Sequence, residues 1–281
     1  MLTHFRKLIL SLALVAMAIT AQAQKRTPFF VQISDPQLGF FSKSNDFTTE
    51  KELMKRITEK VNNLKPDFVV FSGDLVHWIS NTAALDGFKL MCSEFDKDIP
   101  LYFVPGNHDI VDSTPESIEE FIKRYGHDRF IHKAKKYTVI GYNSCVIKDA
   151  AATEPAEYKR IEKVLQSARR NKPIIMVAHH PMFVSSPDEA ERYENIGIEL
   201  RKKYLALFEK YGVDLVLSGH LHYCAQGEYN GIKFVTAGPA GFPFGKTKSG
   251  IEIITIKDNK AEATYYGIDD IPNHIQKSVG Q

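Results

Sequence analysis

A mixed α/β sandwich of two sheets is the fold class this sequence predicts, and three observations predict it. Short apolar runs alternate with amphipathic, charged segments through the first half, the βαβα order of parallel strands joined by helical crossovers. The chain then finishes mostly in β-type runs and a hairpin, which implies antiparallel pairing. The 281 residues are 43% hydrophobic and 25% charged, an ordinary globular composition that fits one large domain or two small ones and excludes a wholly disordered chain.

In chain order, Phe29-Phe30-Val31-Gln32-Ile33-Ser34 reads as a strand. Thr49 to Leu64 has helical spacing, with Leu53, Ile57, Val61 and Leu64 on one face. Phe68 to Phe71 is the next strand, Thr82 to Phe95 a helix and Leu101 to Val104 a third strand. Ser113 to Tyr125 reads as a helix capped by Ser113, with Glu116 at capping-box spacing. Tyr137 to Ser144 is β-rich, Glu157 to Arg170 helical, and Ile174 to Val177 a buried-type strand. Ile198 to Tyr211 is a helix stopped by Gly212, followed by a strand at Leu215 to Leu217. Strands at Ile232 to Thr236, Ile251 to Ile256 and Ala261 to Tyr266 complete the chain, the last two joined at Asp258-Asn259. No domain boundary is expected after residue 24, so residues 24–281 read as one domain.

Residues 1–23 read as a signal peptide. His4, Arg6 and Lys7 form a basic start, Leu8 to Thr20 is apolar but for Ser11, and Ala21-Gln22-Ala23 offers small residues for cleavage. The run is short for a bilayer span, which takes about 20 apolar residues. Cleavage after Ala23 and an exported, periplasmic or secreted protein are expected, with no stable membrane span afterwards. The segment holds Arg6 and Lys7 and no acidic residue. Its removal takes the 36 basic and 34 acidic residues to 34 of each. A neutral mature chain without a basic run gives no argument for a nucleic-acid partner. Cys92, Cys145 and Cys224 match neither a disulfide framework nor a zinc pattern.

Five short clusters sit just after expected strands, where open α/β sheets usually form sites. They are Asp35-Pro36-Gln37, Gly73-Asp74-Leu75-Val76-His77, Gly106-Asn107-His108-Asp109, His179-His180-Pro181 and Gly219-His220-Leu221-His222. Singly, each has a bland explanation as turn former, cap or satisfied polar residue. His220-x-His222 is the least bland, because residues i and i+2 of an extended segment face the same side and two imidazoles there suggest a metal. Jointly, carboxylate, amide oxygen and imidazole suit manganese, iron, zinc or similar divalent ions, and Asp74 has two oxygens with which to bridge a pair.

In their order and content these blocks resemble the calcineurin-like metallophosphoesterase superfamily, across nearly all of the chain after the leader. The resemblance implies a four-layer sandwich, two mixed β-sheets flanked by helices, and a pair of divalent ions. It places Asp35, Gln37, Asp74 and His222 on one ion and Asp74, Asn107, His179 and His220 on the other. His179 is chosen over His180 because the family's ligand usually lies two residues before a proline. Gln37 departs from the pattern, standing where the family usually has a histidine. The Asp-Pro-Gln form points to the branch that contains a serine/threonine phosphatase with a calcineurin-like phosphoesterase domain.

By the same resemblance His108 is a catalytic residue that binds no metal. Asp109 either orients it or serves as a turn or cap. His77, Trp78, Phe40, Phe41, Phe242 and Phe244 are pocket or loop residues in this reading. The chemistry implied is hydrolysis of a small-molecule or protein phosphomonoester by direct attack of a hydroxide bridging the ions, with no covalent phosphoenzyme. A phosphodiesterase on the same site is the alternative enzyme, and a catalytically weak metal-binding relative is the alternative that Gln37 favours.

Overall fold

The computed structural model describes residues 26–41 and 47–275. The expected signal peptide, residues 1–23, lies outside the described residues. Residues Pro28–His274 form one compact unit. It opens with β1 (Phe29–Ile33), α1 (Thr48–Leu64), β2 (Val69–Phe71), α2 (Thr82–Cys92), β3 (Leu101–Phe103) and α3 (Pro115–Tyr125). A second set follows: β4 (Phe130–Lys133), β5 (Thr138–Gly141), α4 (Cys145–Lys148), α5 (Glu154–Ala168), β6 (Ile174–Val177), α6 (Ile198–Tyr211) and β7 (Leu215–Ser218). The chain closes with β8 (Ala225–Tyr229), β9 (Ile232–Thr236), β10 (Gly250–Lys257), β11 (Lys260–Gly267) and a 3₁₀ turn at Ile268–Asp270.

The strands form two mixed sheets, as the sequence predicts. One has the order β11-β10-β1-β2-β3 and the other β4-β5-β6-β7-β9-β8. In the first, β1, β2 and β3 are parallel while β10 runs antiparallel to β1. In the second, β5, β6, β7 and β9 are parallel and β4 and β8 are antiparallel edges. Phe30, Val70 and Ile254 of the first sheet and Val139, Val177 and Leu217 of the second belong to one buried apolar cluster between them. Alternate residues turn outward: Phe71 of β2 packs edge-on against Phe88 of α2, ring centroids 5.2 Å apart. A strand covered on both faces reads as a continuous apolar run, which is why β6 is legible in sequence, and β1 with only Gln32 interrupting it.

Four local expectations change. The helix expected over Thr82 to Phe95 stops at Cys92. Ser113 does not cap α3; Thr114 does, accepting from the Ser117 amide at 3.2 Å, and the Ser113 hydroxyl donates to Asp149 instead. The short α4 and the edge strand β4 were not expected; β4 alternates buried and exposed residues too briefly to stand out. Edge strand β8 was likewise not expected, although it joins β9 through Asn230-Gly231, both at positive φ, a strong hairpin dipeptide.

One charged group is buried in the β10 ladder. Glu252 lies opposite Gln32 of β1 and is 2% exposed, and burial pushes its carboxyl up to about 8. An unfolded glutamate titrates near about 4.3. The protonated form is therefore favoured by the fold, and its stability contribution is present below pH about 4 and lost as pH rises through about 8. Glu252→Gln should match the parent in chemical denaturation near pH 4 and exceed it by a margin that widens up to about pH 8, on the order of a few kcal/mol.

Candidate metal centre

The five clusters meet at the carboxyl ends of parallel strands from both sheets. Asp35 and Gln37 follow β1, Asp74 follows β2, Asn107 and His108 follow β3, His179 follows β6, and His220 and His222 follow β7. Hydrogen bonds lock these loops to one another. The Asp35 amide donates to the Gly73 carbonyl (3.2 Å), the Gln37 amide to the Asp74 carbonyl (2.9 Å) and the Gly219 amide to the His179 carbonyl (2.9 Å). Gln32 joins the two sheets beneath them, its Nε2 donating to Ser72 Oγ and to the Ser218 carbonyl, both at 2.9 Å.

One ligand set is compact. Around His179 Nε2 lie Asn107 Oδ1 at 3.2 Å, His220 Nδ1 at 3.2 Å and Asp74 Oδ2 at 3.3 Å. Three of the four atoms are held as lone-pair donors by a partner on the other side. His179 Nδ1–H donates to the Ser72 carbonyl at 2.9 Å, which leaves Nε2 free. Asp74 Oδ1 accepts from the His108 amide at 2.9 Å, which leaves Oδ2 to face the cluster. Asn107 Nδ2 donates to Tyr193 Oη at 3.1 Å, which turns Oδ1 inward. His180, the neighbour set aside in the sequence, has its Nδ1 beside Ser144 Oγ at 3.2 Å, and a grouping of His179, His180 and His220 is also close enough to hold an ion. The convergence of four ligand atoms nevertheless falls on His179.

The second set is built around Asp35. Its Oδ2 accepts from the Ser34 hydroxyl and from the His220 amide (3.0 Å), while Oδ1 is buried with no protein partner. Gln37 Oε1 is also buried without a partner. His222 Nδ1–H donates to the Phe242 carbonyl at 2.5 Å, and its Nε2 faces Asp35 Oδ1 at 3.6 Å. Orphaned oxygens cost about 1–3 kcal/mol each when buried, and a cation would satisfy both. Asp35, Asp74 and His179 place ligand atoms within 4.8 Å of one another. The residues thus fit a pair of divalent ions with Asp74 between them, and Gln37 offers a carbonyl oxygen where imidazole would bind more strongly.

The electrostatics agree with that fit. Burial pushes the Asp35 carboxyl above its ordinary range, and the neighbouring Asp74 charge adds to this against the pull of His179 and His222. Burial would raise Asp74 too, but His179, with His108 and His220, holds it well below the usual carboxylate range. Burial would lower His179, yet Asp74 beside it raises the imidazole to about 9. Burial and the His179 charge hold His220 down at about 3. Two buried carboxylates in one cluster call for positive charge, and the side chains that face them at ion-pair distance among the described residues are imidazoles.

Two expectations about side chains change. The His220-x-His222 segment is not extended: it bends, with φ of 74° at His220 and 57° at His222, so its two rings converge by left-handed backbone and not by strand alternation. Asp35, Gln37 and Asp74 also have positive φ, at 49°, 40° and 52°. Asp109, in turn, does not touch the His108 ring. Its Oδ1 accepts from the Leu75 amide and its Oδ2 from the Gly106 amide, both at 2.9 Å, so it ties the second cluster to the third. The His108 ring is oriented by the His77 carbonyl, which accepts from Nδ1 at 2.7 Å. Gly106 and Gly219 permit the close packing: a Cβ at Gly106 would lie 2.1 Å from Asp74 Oδ1, and one at Gly219 1.8 Å from Ser34 Oγ.

Sequence reasoning missed Tyr193, which orients Asn107 from a loop with no motif around it, and the bracing roles of Ser34, Ser72 and Ser144. His77 and Trp78 pack beside His108, with ring centroids 4.9 and 6.1 Å away. Phe40, Phe242 and Phe244 wall the His222 side; Phe40 and Phe244 lie 5.4 and 4.8 Å from its ring, and Phe41 stands behind Phe242 at 4.8 Å.

A family model described as calcineurin-like phosphoesterase matches residues 30–224, well over half of the chain. Serine/threonine-protein phosphatase CPPED1 of Danio rerio is 28% identical over 266 residues, covering 86% of this chain and 85% of the relative. A purple acid phosphatase from seeds of yellow lupin, Lupinus luteus, superposes with a TM-score of 0.66 at 17% identity. That match covers 88% of this chain, which spans about half, 52%, of the plant protein's length. A dimetal phosphatase from Danio rerio superposes with a TM-score of 0.66 at 12% identity, covering 87% of this chain and 97% of the other. These two likenesses are of fold: two mixed sheets flanked by helices.

If Asp109 is a strut between loops, Asp109→Ala leaves two buried amides without acceptors. It should lower the unfolding free energy by about 1–3 kcal/mol, read by denaturant titration. Unchanged stability would return Asp109 to the role of orienting His108.

Proposed function

Because the chain belongs to the calcineurin-like phosphoesterase family, whose members are metal-dependent phosphoric ester hydrolases, we propose that it is an exported phosphomonoesterase working on a pair of divalent ions. The observation that carries the reading is the convergence of Asp74 Oδ2, Asn107 Oδ1 and His220 Nδ1 on His179 Nε2, beside the orphaned oxygens of Asp35 and Gln37. The full-length similarity to a relative named as a serine/threonine-protein phosphatase supports the monoester. The leader-like pattern of residues 1–23 supports export.

Asp35, Gln37, Asp74 and His222 would hold one ion and Asp74, Asn107, His179 and His220 the other. When bound, such a pair neutralises phosphoryl oxygens and makes water acidic enough to serve as a nucleophile near neutral pH. The protein's own part is positional. The carbonyls of Ser72 and Phe242 fix the tautomers of His179 and His222, and the Asp109 strut holds the Asp74 and Asn107 loops at one spacing. The His77 carbonyl occupies Nδ1 of His108, so Nε2 is the nitrogen left to donate a proton to the departing oxygen. Cys145, buried with its Sγ 3.6 Å from the Pro105 carbonyl, and burial lifts its thiol well above the ordinary range, so it is no nucleophile. In this reading water is the attacking group and no covalent phosphoenzyme is needed.

Three measurements check this. His108→Ala should lower turnover by about 10²–10⁴-fold with metal content retained, whereas Asp74→Asn should lose turnover and metal together; loss of metal in His108→Ala would remove that residue from its role. p-Nitrophenyl phosphate should be hydrolysed in preference to its bis ester, and the opposite preference would make the protein a diesterase. N-terminal sequencing of protein recovered from outside the cytoplasm should begin at Gln24; an intact Met1 there would overturn cleavage.

A further inference from the structure

Large apolar side chains left in water forfeit about 1.5–3 kcal/mol each, so a cluster of them at a site calls for a ligand. Trp78, Tyr193 and Phe244 are 61%, 67% and 44% exposed, and each comes from a different loop: after β2, between β6 and α6, and between β9 and β10. Each also leans on a residue of the metal centre. Trp78 is edge-on to His108 with centroids 6.1 Å apart, Tyr193 lies 5.0 Å from His220, and Phe244 stacks on His222 at 4.8 Å and 22°. The rings are held in place from behind. Trp78 contacts His77 at 4.6 Å, and Phe40 contacts both His77 at 4.9 Å and Phe244 at 6.3 Å. Anchored on one side and open on the other, these rings border the centre at three separate points, a discontinuous aromatic wall whose flat faces lose little entropy on binding.

Because the wall touches His108, His220 and His222 directly, it begins one side chain away from the groups that would bind the phosphate. A substrate phosphate seated there has its leaving group beside rings. Sugar hydroxyls or a serine backbone against the ring faces would lose water and find few polar partners there, the Tyr193 hydroxyl already accepting from Asn107 Nδ2. Beyond Phe244 a surface hollow of about 420 Å³, lined also by Tyr223, Cys224, Lys246 and Thr247, has room for whatever the ring is attached to. We infer that the site selects aryl phosphomonoesters, those whose ester oxygen is bonded to an aromatic ring, with Trp78, Tyr193 and Phe244 as specificity-determining residues. The inference rests on the phosphomonoesterase reading above and narrows it. The reaction is plain hydrolysis: the phosphorus–oxygen bond to the phenolic oxygen breaks, water supplies the new oxygen, and products are the phenol and inorganic phosphate.

Trp78 is the only tryptophan of the chain, so its fluorescence reports directly on the wall. The manganese-loaded full chain would be titrated with methylphosphonate, with benzylphosphonate and with a peptide carrying phosphonomethyl-phenylalanine, following both fluorescence and competitive inhibition. Benzylphosphonate should bind about tenfold or more tightly than methylphosphonate and alone perturb Trp78 emission, the gain expected of ring–ring contact plus buried area. Trp78→Ala and Phe244→Leu should each shrink that ratio. A peptide that binds tighter than benzylphosphonate identifies phosphotyrosyl chains as the source of the aryl group, and equal binding identifies small aryl esters. Equal binding of the methyl and benzyl compounds overturns the aryl preference while phosphate-ester hydrolysis stands. Failure of both to bind, with no hydrolysis of any monoester, overturns the underlying reading and the preference with it.

Discussion

Two carboxylates buried in one cavity of imidazoles set the terms for the rest of this molecule. Asp35 and Asp74 are both withdrawn from water, and an ionised carboxylate in such surroundings is costly unless it is paired and fully hydrogen-bonded. The chain gives one oxygen of each to backbone amides or a hydroxyl and leaves the other facing only imidazole, Asp74 Oδ2 at His179 and Asp35 Oδ1 at His222. Asp74 Oδ1 takes the His108 amide, and Asp35 Oδ2 takes the Ser34 hydroxyl and the His220 amide. The bonded oxygens tie loops together, Asp35 across the two sheets and Asp74 across β2 and β3. The other oxygens are left for cations. Each aspartate is a staple and a candidate ligand at once, so the alignment of the two sheets and the charge of the centre depend on the same two side chains.

That arrangement costs backbone strain. Five of the seven expected ligands, Asp35, Gln37, Asp74, His220 and His222, sit at positive φ, where residues other than glycine are uncommon. Such conformations persist only when their surroundings over-determine them. Here the loop-to-loop amide bonds and the Asp109 strut do so, and glycines at 106 and 219 let neighbouring backbone come within reach of the carboxylates.

The place of the candidate ligands was legible in the sequence because their blocks follow apolar strand runs, Ile174 to Val177 before His179, Leu215 to Leu217 before His220 and, interrupted only by Gln32, Phe29 to Ile33 before Asp35, while their assignment to ions came from the resemblance of the blocks to a known family. The two-sheet layout was legible for the same reason, and so was the last hairpin, whose Asp258 and Asn259 both take positive φ. What failed to show has a physical cause in each case. Strand β4 is a half-exposed edge of four residues, too short for its period to register, and β8 was passed over although Asn230-Gly231 marks its turn. Asp109 stands next to His108 in sequence, but adjacent side chains at a bend point apart, and its carboxylate accepts from the Gly106 amide of its own loop and the Leu75 amide of the loop after β2. Tyr193 is recognisable only once Asn107 Nδ2 is seen to need an acceptor.

Tautomer alone does not separate a metal ligand from an acid in this site. His108, His179 and His222 all commit Nδ1 to a carbonyl, of His77, Ser72 and Phe242, and so all present Nε2. They differ in what that nitrogen meets: Asn107, His220 and Asp74 around His179, Asp35 beside His222, and no such cluster at His108. The carbonyl that fixes His222 belongs to Phe242, in the same aromatic loop whose Phe244 stacks on the His222 ring. One loop therefore sets a ligand's tautomer through its backbone and shapes the mouth through its side chains. Under the proposed function, leaving-group selection and metal affinity would be mechanically joined on that side, whereas on the other, Trp78 borders His108, which binds no metal in this assignment. Substitutions at Trp78 separate recognition from metal binding in a way that those at Phe244 do not.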